Sequence, residues 1–128
     1  MAIVHAVIAL ALVEFFVFGG LVGRARAKYE IAAPATTGNP IFERYFRVHY
    51  NTLEQLVCFI PGMLLFAIYI NATVAAVLGV IFIIGRIFYL RGYVEDPQKR
   101  GPGFGLSMIS TVILLLGGLG GAVWSAMH

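Results

Sequence analysis

Charge and cysteine are what this sequence has least of. Only 12% of its 128 residues are Asp, Glu, Lys or Arg, about half the ~25% of an ordinary soluble domain, so a water-solvated globular fold is excluded. The single cysteine, Cys58, rules out an intramolecular disulfide and a cysteine-rich metal cluster. Its place inside an apolar run marks it as packing or lipid contact rather than a nucleophile. His5, His49 and His128 stand at no metal-ligand spacing. Phosphate-binding glycine loops and nucleophile–base motifs are also missing. Hydrolytic, nucleotide-dependent and zinc-dependent chemistry therefore drop out. The sequence pI of about 9.3 does not point to nucleic acid. The basic residues are few and are interrupted by Glu30, Glu43, Glu95 and Asp96, and attraction to anionic lipid headgroups accounts for them.

What the chain does have is apolar length. Hydrophobic residues make up 60% of it, and the mean hydropathy is +0.90. Four runs, at about 3–23, 48–70, 73–93 and 104–126, each come near the roughly 20 residues that cross a bilayer. The fold expected is all-α, an integral membrane four-helix bundle forming one domain over residues 1–128. No Lys or Arg precedes the first run, and it exceeds the apolar core of a secretory signal, so it is expected to persist as the first helix. Arg24, Arg26, Lys28, Arg44 and Arg47 lie in or beside the first connection. Arg86, Arg91, Lys99 and Arg100 lie at or beyond the end of the third run. The positive-inside bias makes that face cytoplasmic and sends both termini to the other side, as in a bacterial inner membrane.

Between these runs the chain is sparse. The connection over about 24–43 contains the turn-rich stretch 33–40, whereas helices 2 and 3 are joined by a minimal turn near Asn71. Pro61-Gly62 predicts a bend within helix 2. The glycines at 117, 118, 120 and 121 would let helix 4 approach a neighbour closely.

Polar residues within the runs carry the functional information. Arg44, Arg47, Asn51 and Glu54 recur at steps of three, four and three, which places them on one helical face. A structural ion pair is one reading. Because polar groups at membrane depth are costly, a stripe of four favours a binding site. Arg86, Tyr89 and Tyr93 form a second set at i, i+3, i+7, and Arg100 would join it if helix 3 continued past Pro97. For either tyrosine alone an interfacial aromatic belt would suffice. Glu14, near the centre of helix 1, needs a partner or a proton. A salt bridge to another helix and a proton-coupled transport carboxylate stand as equal readings.

These blocks carry a resemblance. The stretch Phe42-Glu43-Arg44-Tyr45-Phe46-Arg47-Val48-His49-Tyr50-Asn51-Thr52-Leu53-Glu54, then Gly85-Arg86-Ile87-Phe88-Tyr89-Leu90-Arg91-Gly92-Tyr93, then Lys99 to Ser107, with Thr36-Thr37-Gly38-Asn39-Pro40 before them, resembles the membrane-associated proteins in eicosanoid and glutathione metabolism (MAPEG). The likeness covers nearly the whole chain. It implies a homotrimer with glutathione as co-substrate in a cleft between subunits near the cytoplasmic face. Arg47, Asn51, Glu54, Tyr89 and Tyr93 match glutathione-contacting positions. Arg26 and His49 match positions contributed by the adjacent subunit, and Arg100 matches the arginine that stabilises the thiolate. Gln55 stands where a tyrosine is common, and His49 where a glutamine is frequent.

The implied chemistry is consistent with the residues. Glutathione has two carboxylates, an ammonium and a thiol, so its site needs guanidinium forks, an acid and a cation near sulfur. The resemblance thus implies a glutathione transferase acting on lipophilic electrophiles dissolved in the membrane, with the same thiolate able to reduce a lipid hydroperoxide. Neither a metal nor nucleic acid is expected. Two other readings stand beside it: a non-catalytic, lipid-binding member of the family, and a proton-coupled small multidrug transporter using Glu14. The one-sided distribution of Arg and Lys disfavours the transporter, which also leaves the Arg47–Asn51–Glu54 and Tyr89–Tyr93 sets unexplained.

Overall fold

A computed structural model describes residues 1–128. The chain forms four long helices: α1 (Ala2–Tyr29), α2 (Pro40–Tyr69), α3 (Ala72–Glu95) and α4 (Gly101–Met127), with a single 3-10 turn at Pro97–Arg100 before α4. All four are long and apolar enough to cross a membrane. The protein is an integral membrane four-helix bundle with no strand.

The helices overrun the apolar runs at the basic end. Helix α1 continues to Tyr29 and α2 begins at Pro40, which shortens the connection from the expected 24–43 to residues 30–39. The reason is local. Arg24, Arg26 and Lys28 are good helix formers that water or headgroups can solvate, so polarity ends the membrane-buried length without ending the helix. Glu30 then closes α1 in the left-handed conformation at φ 57, and the Ile31 amide returns to the Arg26 carbonyl at 3.0 Å. Asn39 opens α2: its Oδ1 accepts from the amides of Ile41 at 2.9 Å and Phe42 at 3.1 Å, and Pro40 takes the first helical position. Gly38 sits at φ +133, where a Cβ would be strained and would also meet the Ile31 side chain. Asn71 caps α3 by accepting from the Val74 amide at 2.9 Å, and this compact turn sets α2 and α3 antiparallel. Helix α2 is continuous through Pro61.

The apolar core lies towards the end opposite the basic residues. Val4, Val7, Phe59, Met63, Phe82 and Leu114 are buried there, with the Phe59 and Phe82 rings stacked 3.9 Å apart. Close contact replaces hydrophobic exclusion as the means of holding helices together in lipid. Gly103 of α4 lies so near the Tyr89 backbone of α3 that any Cβ would collide with it. Large apolar side chains such as Phe16, Val57 and Leu116 point outward, as a lipid-facing surface requires.

Candidate functional site

The polar residues concentrate in the half of the bundle where the core thins. Arg86 is fully buried. Its Nε and Nη2 donate to Thr52 Oγ1 at 3.2 and 2.9 Å, and its Nη1 donates to Ser107 Oγ at 3.2 Å. One guanidinium thus ties α2, α3 and α4 together. Thr52 and Ser107 in turn donate to the carbonyls of Val48 and Gly103, at 2.7 and 3.0 Å, leaving their oxygen lone pairs for the arginine. The guanidinium also lies over the Tyr89 ring at 4.1 Å, a favourable cation–π placement.

Tyr89 is the next link. Its ring is buried, its hydroxyl accepts from Asn51 Nδ2 at 2.7 Å, and Tyr93 lies one turn further along α3 with ring centroids 5.5 Å apart. The chain leaves α3 at Asp96, whose side chain accepts from the Gln98 amide, and the 3-10 turn brings Arg100 back to Tyr93, with the guanidinium carbon 5.7 Å from the ring centre. Helix 3 does not continue through Pro97. The turn achieves the juxtaposition that a straight helix would have given.

Arg47, Asn51, Tyr89, Tyr93 and Arg100 line one cavity of about 560 Å³, closed on its α4 side by Gly101 and Phe104. A smaller hollow of about 250 Å³ adjoins it through Asn51, Tyr89 and Phe104 and adds Glu54, Gln55 and Arg86. A third, of about 300 Å³, is reached past Arg47 and Tyr93 and is lined also by Thr36, Thr37, Glu43 and Arg44. Arg47 and Glu54 are exposed at the cavity walls, whereas Tyr89 and Arg86 are buried. The arrangement sets Arg47 and Arg100 around the central cavity, with Glu54 beside Arg86 in one adjoining hollow and Glu43 beside Arg44 in the other, and the Tyr89 and Tyr93 rings between them.

Arg44, the first member of the α2 stripe, does a different job. Its Nη1 donates to the carbonyls of Val94 and Glu95, at 2.9 and 3.2 Å, satisfying the open end of α3. That pins the start of α2 to the end of α3 and sets the distance across which Arg47 faces Tyr93.

Two candidate residues lie elsewhere in the chain. Arg26 on α1 donates to the Ala35 carbonyl at 2.7 Å and covers the Phe42 ring at 4.8 Å. His49 stacks on Phe15 at 4.4 Å and touches Gly19. Neither lines the Arg100 cavity. At ~100° per residue, Phe15, Gly19 and Arg26 fall within about 40° of one another on α1, so Arg26 and His49 share one flank of the α1–α2 pair. Glu14 is also outside the cavity: both its carboxylate oxygens are buried without a hydrogen-bond partner, within the field of Arg86.

Thr52 and Ser107 are the buried partners of Arg86 that the sequence does not flag. A hydroxyl within an apolar helix ordinarily bonds its own i−4 carbonyl and carries no further signature. The only signal is Arg86 itself, a cation inside an apolar run that must find acceptors.

Residues 3–120 match the model of the MAPEG family. An uncharacterized protein of Synechocystis sp. is 52% identical over 116 residues, covering 91% of this chain and 85% of that protein. Human microsomal glutathione S-transferase 2 is 44% identical over 100 residues, 77% of this chain and 68% of the relative. Bovine leukotriene C4 synthase is 32% identical over 76 residues, 59% of this chain and 51% of that enzyme, so this last match spans about half its length.

Proposed function

This chain belongs to the MAPEG family, and on that premise we propose that it is a membrane glutathione transferase. One observation carries the reading: Arg47, Asn51, Tyr89, Tyr93 and Arg100, drawn from α2, α3 and the 3-10 turn, line a single cavity at the basic end of the bundle. Similarity to microsomal glutathione S-transferase 2 supplies the ligand class.

In this reading Arg47 pairs with a glutathione carboxylate, Glu54 accepts the ammonium, and Asn51 with Tyr89 and Tyr93 holds the peptide. Arg100 faces the sulfur. A free thiol titrates near ~8.5, so only a few per cent is thiolate at neutral pH. Lowering that by about two units takes ~2.7 kcal/mol of preference for the anion, within reach of a nearby guanidinium in a partly dehydrated site. The thiolate then attacks a lipophilic electrophile arriving from the bilayer past Phe104, by addition or substitution. The same nucleophile would reduce a lipid hydroperoxide to its alcohol, the sulfur taking the distal oxygen as a sulfenic acid that a second glutathione converts to glutathione disulfide and water.

Arg26 and His49 enter from a neighbouring copy. Their shared flank points away from the chain's own cavity, so a homotrimer would complete each site with a second subunit's α1–α2 face. The membrane would be a bacterial inner membrane or its equivalent, with the basic end cytoplasmic and both termini opposite. Titrating purified protein with glutathione while recording thiolate absorbance tests the proposal. Saturable thiolate formation is expected; no signal at millimolar glutathione would overturn it.

A further inference from the structure

A second, separate cavity lies at the same end of the bundle, between α1 and α2. It holds about 210 Å³, and Arg24, Lys28, Tyr29 and Tyr45 stand around a floor made by Ala25, with Leu21 at its lower edge. The cavity contains no acidic residue. Arg24 and Lys28 are exposed, and neither is ion-paired, since the chain's one salt bridge joins Lys99 to Glu95. One helical turn apart, they present two cations side by side. Arg24 and Arg26 differ by about 200° around α1, so the two cations stand on the side of α1 away from Arg26.

What lies beneath the cations narrows the ligand. Along the same face of α1, at steps of seven below Arg24, come Val17 and Leu10, both exposed. Val13 stands exposed beside them. An apolar track therefore descends into the membrane directly from a cationic cup at its surface. A soluble anion would use only the cup. A molecule with a phosphate head and a hydrocarbon tail would use both, with aromatic hydroxyls at headgroup level where tyrosine is favoured.

We propose that the α1–α2 cavity is a binding site for one anionic phospholipid per chain. Arg24 and Lys28 hold its phosphate, Tyr29 and Tyr45 flank the headgroup, and an acyl chain lies along Leu21, Val17 and Leu10. The site is independent of the Arg100 cavity, and the proposal stands whether or not the chain handles glutathione.

Native mass spectrometry of the purified full-length protein, exchanged into detergent with phosphatidylglycerol or phosphatidylcholine of equal chain length, tests it. The expected result is one phosphatidylglycerol per chain at concentrations where phosphatidylcholine does not bind. Arg24→Gln/Lys28→Gln should weaken that binding about 30-fold, the factor expected for losing two interfacial cations. Arg91→Gln removes an exposed cation at the same membrane level but outside the cavity, and should change binding less than twofold. Val17→Ser/Leu10→Ser should weaken binding while preserving the preference for the anionic lipid. Equal loss in the Arg91 variant would mean diffuse charge attraction and overturn the site. Competition by inorganic phosphate, with no effect of the Val17/Leu10 pair, would assign the cup to a free anion and overturn the lipid. Unchanged binding in the double-cation variant, checked as folded by its helical circular dichroism, would overturn both.

Discussion

The Asn51 amide donates to the Tyr89 hydroxyl at 2.7 Å, and this bond joins α2 to α3 in the wall of the cavity. It holds both side chains in place across the two helices. Tyr89→Phe removes the acceptor while keeping the ring under Arg86. The expected effect is a rise of about fivefold in the glutathione concentration for half-saturation, matching the ~1 kcal/mol of a net hydrogen bond. Asn51→Ala should do the same, and the double variant should cost little more than either single one. Isothermal titration across that cycle checks it; fully additive losses would show that the pair does not act as a unit.

Arg100 should behave differently from the binding residues. Arg100→Ala is expected to leave glutathione affinity within about threefold but to reduce thiolate absorbance and conjugation rate at neutral pH by about 25-fold, as the bound thiol goes from roughly three-quarters ionised to about 3% when two pK units are lost. The sign follows from the cation favouring the anion. Without it the bound thiol returns towards its free value, so activity lost at pH 7 should be regained progressively as pH rises through ~8.5. A variant that conjugates at the wild-type rate across this range would remove Arg100 from the chemistry.

The buried network around Arg86 makes a stability prediction. Thr52→Val keeps shape but removes the oxygen that accepts from both Nε and Nη2. Leaving two donors of a buried cation unpaired should cost about 1–3 kcal/mol, read as a lower thermal midpoint in detergent. Ser107→Ala should cost less, because it strips Arg86 of a single bond at 3.2 Å.

Much of this was legible in the chain itself. Four spans, a basic end and the Arg47–Asn51–Glu54 face follow from apolar length and helical period, which are local properties. The helix ends were not, because Arg24 to Tyr29 and Pro40 to Arg47 are polar yet helical, and polarity reports solvent rather than secondary structure. The return of Arg100 to Tyr93 depends on a 3-10 turn whose geometry no periodicity encodes. Arg44 sits on the right stripe but caps α3 through carbonyls 50 and 51 residues away. The separation of Arg26 and His49 from the cavity is a property of packing between helices.

Glu14 separates the enzyme reading from transport. Both its oxygens are buried and unpartnered, and it lines none of the hollows around Arg100. Glu14→Gln is therefore expected to retain glutathione conjugation within about twofold, and proteoliposomes should show no proton-linked export for either protein. Export present in the parent and lost in the variant would reinstate the transporter.

Packing at the α3–α4 crossing governs the cavity from behind. A Cβ at Gly103 would strike the Tyr89 backbone and the Gly85 carbonyl, so Gly103→Ala must push α4 away from α3. Gly101 and Phe104, which flank Gly103 on α4, line the Arg100 cavity, and the displacement would therefore widen the gap between Arg100 and Tyr89. The expected result is a thermal midpoint lowered by the equivalent of ~1–3 kcal/mol, as for overpacked cores, with at least a tenfold loss of kcat/KM. Gly105→Ala is the matched control. Nothing lies within 4 Å of a Cβ there, and alanine favours helix by up to ~1 kcal/mol over glycine, so that variant should be as stable as the parent or more so and fully active. Equal behaviour of the two variants would mean that close approach at Gly103 does not set the cavity's shape.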